Sequence, residues 1–139
     1  IALSSDFIIG FPGETDKDFE DTIDLIEKVK YMNSYSFKYS PRPGTPAANR
    51  EEIDDAILNE RLKIIQDLLN EQQIEYNNQF VKKTVQVLID GAGKNLGQIK
   101  GKSQFNQSVA LQGEKEIIGQ IIPVQINEVL THSLLGEKI

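Results

Sequence analysis

Apolar and polar positions in the first half of the chain follow the order strand, helix, strand. Residues 2–10 end in consecutive apolar residues, a pattern typical of a strand that is buried on both faces. Apolar residues then recur at helical spacing over 19–29, and Thr15 or Asp16 can cap that helix. Residues 35–39 predict a second strand, which the prolines after it cannot continue. The pattern therefore predicts one strand–helix–strand unit with parallel strands.

A longer helix is predicted over residues 51–80, because apolar residues again form one stripe, which Gln72 and Gln73 interrupt. The stripe consists of Leu58, Leu62, Ile65, Leu69, Tyr76 and Phe80. An acidic cluster over residues 51–55 occupies the first turns of this predicted helix. A divalent-metal site is one interpretation of the cluster, but acidic residues in a first turn favour compensation of the helix dipole.

Short alternating segments in the second half predict five strands that close into a small antiparallel, OB-like barrel. The predicted strands cover residues 84–90, 96–102, 108–111, 119–129 and 133–137. The fold class is therefore α/β plus all-β. We expect an α/β part over residues 1–48, a connecting helix over 49–76 and a β-barrel over 77–139.

Charge divides the chain in the same place. The 139 residues hold 15 Lys and Arg against 21 Asp and Glu, a net charge of −6 that by itself disfavours a nucleic-acid partner. The acidic excess lies in residues 1–76, with 8 basic and 16 acidic residues, whereas residues 77–139 hold 7 basic and 5 acidic ones. The barrel half is therefore mildly basic, and an anionic partner for it stays open.

Residue types also limit the chemistry. The chain has no cysteine, which excludes disulfides, zinc fingers, thiol catalysis and cysteine-ligated iron–sulfur clusters within these residues. His132 is the only histidine, and we expect it in an exposed loop at the end of the barrel. No apolar run is long enough to cross a membrane, so no membrane partner is expected. Because the chain opens with Ile1 inside an apolar run, we also expect sequence to precede it.

Candidate RNA contacts surround the second barrel strand. Lys94, Lys100 and Lys102 can neutralise phosphates, Phe105 can stack on a base, and Asn106 lies in the same loop. The alternative is a solvated strand edge, where lysines discourage aggregation. The residue pattern leaves both interpretations open.

Two motifs then resemble a known enzyme family. Residues 5–15, Ser-Asp-Phe-Ile-Ile-Gly-Phe-Pro-Gly-Glu-Thr, resemble radical SAM enzymes. Residues 37–47, Phe-Lys-Tyr-Ser-Pro-Arg-Pro-Gly-Thr-Pro-Ala, narrow the likeness to the methylthiotransferases, above all to the MiaB-type tRNA methylthiotransferases. The second half is similar to the TRAM domain of that family, in Gly97, Gly101-Lys102, Asn106, Val109, Gly119, Val124, Ile126, Ser133-Leu134 and Gly136.

The resemblance implies a function. Such enzymes use S-adenosylmethionine and two 4Fe–4S clusters to add a methylthio group to an isopentenylated adenosine next to the tRNA anticodon. Residues 1–48 would be the last strand–helix–strand piece of the TIM-like radical SAM barrel, and the TRAM barrel would bind the anticodon stem-loop. By resemblance, Lys102 and Asn106 match RNA-facing loop residues. The expected rim of the S-adenosylmethionine pocket consists of Ile8, Gly10, Glu14, Tyr39, Ser40 and Arg42.

The family's cluster-binding Cys-x3-Cys-x2-Cys motif is absent, so this chain alone is expected to be inactive, without catalytic residues or metal ligands of its own. The missing N-terminal part of the same enzyme would supply the clusters. The intact protein is expected to be cytoplasmic and monomeric. Three alternatives stay open: a stand-alone RNA-binding module, a protein–protein adaptor that uses the acidic helix face, and a relative that modifies a ribosomal protein.

Overall fold

The computed structural model describes residues 1–139, which divide into two compact units, Ile1–Gln72 and Gln73–Ile139. The elements of the first unit are β1 (Ser4–Ile9), α1 (Asp16–Val29), β2 (Asn33–Lys38), a 3-10 helix (Pro46–Asn49) and most of α2 (Asp55–Asn78). The second unit holds the end of α2 and then β3 (Thr84–Ala92), β4 (Gln98–Ser103), β5 (Ser108–Gln112), a 3-10 helix (Lys115–Ile117), β6 (Ile121–Val129) and β7 (Leu134–Lys138). No helix is long and apolar enough to pass through a lipid bilayer.

The predicted strand–helix–strand unit is confirmed, because β1 and β2 pair in parallel on either side of α1. One face of the strand pair packs on the helices. Phe7 and Ile9 of β1 are buried there with Ile26 of α1 and Ile65 of α2. The opposite face exposes large apolar side chains, namely Ile8 at 60%, Tyr35 at 64% and Phe37 at 55% of their surface. This half-covered sheet is unusual, since parallel sheets are normally covered on both faces.

The start of α1 is fixed by a capping box. Thr15 Oγ1 accepts a hydrogen bond from the N–H of Asp18 at 3.1 Å, and Asp18 Oδ2 accepts one from the N–H of Thr15 at 2.9 Å. The Thr15 hydroxyl also donates to Asp18 Oδ2 at 2.8 Å, and the two bonds that this carboxylate accepts from the backbone N–H and hydroxyl of Thr15 hold the pKa of Asp18 below its ordinary value. The cap predicted at Thr15 or Asp16 therefore lies at Thr15.

Helix α2 begins later than predicted. It starts at Asp55, so the acidic residues at 51–54 precede the helix and only Asp55 lies in its first turn. The reason is local, because the carboxylate of Asp54 accepts the N–H of Ala56 at 3.3 Å and ends the extended segment there. Gln72, which interrupts the apolar stripe, is buried and donates to the carbonyl of Ile26 at 2.9 Å. The polar interruption thus joins the two helices.

The second unit is a closed barrel with the strand order β3-β4-β5-β7-β6, which confirms the predicted five-stranded barrel. One pairing differs from the antiparallel expectation, because β5 and β7 are parallel. The cause lies in β3, which pairs antiparallel with both β4 and β6 and so makes those two strands run alike. Because β4 pairs antiparallel with β5 and β6 pairs antiparallel with β7, strands β5 and β7 also run in the same direction. Alternate residues of the strands fill the interior, among them Val87, Ile89, Ile99, Val124, Ile126 and Leu134.

The contact between Gly10 and helix α2 generates a stability prediction. Gly10 has φ +80°, and an added Cβ would lie 2.0 Å from Leu58 Cδ2. Gly44 has a similar φ of +84°, but nothing lies within 4 Å of its Cβ position. Both alanine variants therefore share left-handed strain of about 1–2 kcal/mol, whereas Gly10→Ala adds overpacking of roughly 1–3 kcal/mol. Urea unfolding followed by circular dichroism should show the larger loss for Gly10→Ala, and equal losses would contradict the contact.

Candidate functional site

A groove lies beside the carboxyl ends of β1 and β2, with a volume of about 460 Å³. We call it the rim groove. Its lining consists of Ile8, Phe37, Lys38, Tyr39, Ser40 and Arg42. Four of the six residues expected at the S-adenosylmethionine rim therefore lie together around one concavity. Ligand pockets in proteins generally measure about 300–1,000 Å³, so the volume suits a small organic molecule.

Tyr39 combines a fixed backbone with an unpaired hydroxyl. Its N–H donates to the carbonyl of Ile9 at 2.8 Å, which extends the pairing of the two strands by one residue. The ring packs edge-on against Phe11, with centroids 5.3 Å apart. The hydroxyl is buried and has no hydrogen-bond partner. A buried hydroxyl without a partner costs free energy, so this atom is suited to meet a polar group that the chain itself does not supply.

The lysine of the rim groove is held by helix α2. Lys38 Nζ donates to Asp55 Oδ1 and to Asn59 Oδ1, each at 2.9 Å. The hydrogen bond and charge of Lys38 hold the pKa of the Asp55 carboxyl below its ordinary value. Arg42 has no ion pair in the structure, so it is the cation of the rim groove that is free to bind an anion.

Two expected rim residues, Gly10 and Glu14, are not part of the groove lining. The N–H of Gly10 donates to Glu14 Oε2 at 3.1 Å, and the other oxygen of Glu14 accepts from Arg61 Nη1 at 2.7 Å. Gly10 also lies directly under Leu58 of α2. In this structure both residues connect the turn after β1 to α2, and their proposed contact with a cofactor stays a prediction.

Arg61 was not singled out from the sequence. Its side chain is 8% exposed and pairs with Glu14, which is 10% exposed, and with Asp16, which is 94% exposed. Burial disfavours the charged guanidinium, but hydrogen bonds from its two nitrogens to the carboxylates outweigh burial and raise the pKa of Arg61. The guanidinium carbon of Arg61 also lies 5.4 Å from the centroid of the Phe19 ring, which adds a cation–π interaction. Arg61 therefore stays charged and holds α2 against the start of α1.

A second concavity lies on the barrel, with a volume of about 500 Å³. We call it the barrel groove. Two of the five predicted RNA-binding residues, Lys94 and Lys100, line it. His132 also lines it, from the loop between β6 and β7. No local pattern predicts this position of His132, because its neighbours come from strands in distant parts of the chain.

The other three predicted RNA-binding residues lie around the loop between β4 and β5. Lys102 Nζ donates to Ser108 Oγ at 2.8 Å, and Asn106 takes a left-handed conformation with φ 62°. The ring of Phe105 packs on Phe80, with centroids 5.0 Å apart, and is 37% exposed. None of these three residues lines the barrel groove, although Lys102 is bonded to Ser108, which does, and their contact with RNA stays a prediction.

The loop that carries them is fastened to the end of α2. Gln107 is buried and donates through Nε2 to Asn77 Oδ1 at 2.9 Å. The hydroxyl of Ser103 donates to Gln107 Oε1, also at 2.9 Å. Each end of the Gln107 amide therefore has a partner, which fixes the conformation of the loop.

Known proteins resemble the chain over its whole length. The family model of the TRAM domain matches residues 78–139, which cover the closed barrel. The tRNA-2-methylthio-N(6)-dimethylallyladenosine synthases of Rickettsia canadensis and Rickettsia akari are 52% and 53% identical over 99% of the chain. The synthase of Rickettsia felis is 51% identical over 100% of it. The chain is thus similar to one part of these synthases along its whole length. It spans 31–32% of the length of these synthases.

The identity to these synthases confirms the resemblance drawn from residues 5–15 and 37–47, and that resemblance implies S-adenosylmethionine and iron–sulfur clusters for the full-length enzymes. The two groups fit this chain differently. No cysteine is present, and no group of three or more His, Asp or Glu side chains is placed to hold a metal ion. The rim groove, by contrast, fits S-adenosylmethionine, since Arg42 can pair with its carboxylate and Tyr39 offers an unpaired hydroxyl.

The pairing of Arg61 with Glu14 generates a second stability prediction. Arg61→Met should lower the free energy of unfolding by about 3–5 kcal/mol, because it leaves the buried carboxylate of Glu14 without its cation. Adding Glu14→Gln should recover at least about 1 kcal/mol, since the amide carries no charge. Asp16→Asn is the control and should cost under about 1 kcal/mol, because Asp16 is exposed. Urea unfolding measures all of these, and a double variant no more stable than Arg61→Met would refute the pairing.

Proposed function

We propose that this chain is the part of a tRNA methylthiotransferase that borders the S-adenosylmethionine pocket and binds the tRNA substrate. The intact enzyme would add a methylthio group to isopentenylated adenosine next to the anticodon. The observation that carries the proposal is identity of 51–53% to named synthases across both units of the chain. Clusters would be bound by residues that these 139 positions do not include.

The exposed face of the β1–β2 pair supports the first half of the proposal. Ile8, Tyr35 and Phe37 project from the side that no helix covers. Further parallel strands and the interior of a radical SAM barrel would cover such a face, and α1 and α2 already cover the other. The rim groove then lies at the carboxyl ends of the strands, where barrels of this type bind their ligands.

Within the proposed pocket, four of the six residues that line the rim groove would contact S-adenosylmethionine. Arg42 would bind the carboxylate of S-adenosylmethionine, and Tyr39 and Ser40 would donate or accept hydrogen bonds beside it. Ile8 would give apolar contact to the adenine. Gly10 and Glu14 would support the pocket indirectly, because their hydrogen bonds hold the turn after β1 against α2.

The closed barrel supports the second half of the proposal. Small OB-like barrels frequently bind oligonucleotides, and in this chain the barrel half is the mildly basic one. The RNA bound would be the anticodon stem-loop, because the base that the related synthases are named for belongs to tRNA.

A chimera tests the enzymatic part. These 139 residues would replace the matching segment of the Rickettsia canadensis synthase, and the product would be measured by mass spectrometry of tRNA nucleosides. The chimera should form the methylthio product. Arg42→Ala in it should raise the KM for S-adenosylmethionine roughly tenfold with a smaller change in kcat, the loss of one charged hydrogen bond. Lys17→Ala, an exposed charge on α1, is the control. A folded, cluster-loaded chimera without product would refute the proposal.

RNA binding is tested on the chain itself. The 139-residue chain should bind a fluorescent anticodon stem-loop, and the affinity should fall steeply as salt increases, because lysine contacts to phosphates release counterions. Fluorescence anisotropy at several salt concentrations gives the slope. An affinity that is absent at low salt, or independent of salt, would remove the tRNA-binding role.

A further inference from the structure

We infer that the barrel groove, and not the loop between β4 and β5, is the site that takes a single-stranded nucleotide of the RNA, with Lys94 and Lys100 at its phosphate and His132 at its 2′-hydroxyl. The inference rests on the proposed RNA-binding function and adds the site and the contacting residues. His132 is the new member of this set.

Charge is the first argument. The chain carries 21 acidic residues and a net charge of −6, yet no carboxylate lines the barrel groove. Its charged lining residues are Lys94 and Lys100, and neither forms an ion pair within the chain. A concavity with two unpaired cations and no anion in an acidic protein is complementary to a phosphate.

The hydrogen bonding of His132 is the second argument. Its Nδ1 lies 3.1 Å from Gln73 Oε1. A carboxamide oxygen can only accept, so Nδ1 carries the proton of this bond. Gln73 belongs to α2, so the bond attaches the imidazole to that helix. Nε2 is left without a partner in the chain. In this tautomer Nε2 has a free lone pair, so it can accept a hydrogen bond from the 2′-hydroxyl of an RNA nucleotide.

The form of the groove is the third argument. Its polar groups surround an apolar floor, to which Val109, Ala110 and Leu135 contribute. Ser108 and Ser133 add hydroxyls at the side. A ribose and base can lie on such a floor while their phosphate meets the lysines. The β3–β4 loop, strands β4 and β5, and the β6–β7 loop form the walls, and these are the parts with which OB barrels contact single strands.

The rival loop is already occupied by contacts within the chain. Lys102 is bonded to Ser108 Oγ, and one face of Phe105 is covered by Phe80. Binding of RNA there would first have to break these contacts, whereas the lysines of the barrel groove have no such partners.

Matched lysine variants of the 139-residue chain test the site. Lys94→Gln with Lys100→Gln should lower the affinity for the anticodon stem-loop at least tenfold and reduce the salt slope by about 2, one per lost phosphate contact. Lys115→Gln with Lys138→Gln removes the same charge outside the groove and should leave the slope within about 0.5 of the unaltered chain. Lys102→Gln tests the rival loop and should change the slope equally little. Equal effects of the two double variants, or a dominant effect of Lys102→Gln, would overturn the inference.

The single histidine gives a direct second readout. His132 produces the only imidazole signals in the NMR spectrum of the chain. Saturation with the stem-loop should shift these signals, and the Lys94→Gln, Lys100→Gln variant should abolish the shift. An unshifted His132 at saturation would overturn the site while leaving RNA binding intact. An equal shift with polyglutamate at equal concentration would show a general polyanion surface and would also overturn it. Absence of RNA binding by the unaltered chain would instead remove the proposed function.

Discussion

The arrangement of the first unit depends on the ion pairs of the Arg61 guanidinium. This guanidinium joins α2 to Glu14 and Asp16 at the start of α1, and Glu14 in turn accepts the N–H of Gly10 at the end of β1. A buried cation requires such partners, because its removal from water is otherwise too costly. One side chain therefore holds the turn after β1, the first turn of α1 and the second turn of α2 together. Lys38, whose partners are on α2, connects the rim groove to the same frame.

Both candidate surfaces lie where strands end and loops begin. Within regular strands the backbone groups are paired and alternate side chains are buried, so residues at strand ends and in loops are better placed to bind ligands. The rim groove places Arg42 and the unpaired hydroxyl of Tyr39 beside apolar residues. The barrel groove places Lys94 and Lys100 beside an apolar floor. Each surface thus offers charge for recognition and apolar area for contact, on a scaffold that is rigid by itself.

Elements that depend on local periodicity were predictable, and features that depend on distant pairing were not. The strand–helix–strand order, the cap at Thr15 and the number of barrel strands follow from nearby residues. The parallel pairing of β5 and β7 follows only from the partners of β3, which lie far along the chain. The pairing of Glu14 with Arg61 was not predicted, because the two residues are 47 positions apart in the chain. Lys94 and Lys100 were predicted together as RNA contacts because they lie on or beside one strand, and that role stays a prediction. Only closure of the barrel brings His132 into the same groove.

Strand β7 closes the barrel, since it pairs with β5 on one side and with β6 on the other. The ribosome makes it after the other four strands, so β5 and β6 keep open edges until its residues have left the exit tunnel. Such edges are where chains aggregate or pair wrongly, and pairings this distant in sequence form slowly. Ser133, just before β7, and Leu135, within β7, also border the barrel groove. A nascent chain therefore lacks a complete wall at the proposed nucleotide site, and this surface is finished only after translation has passed Lys138.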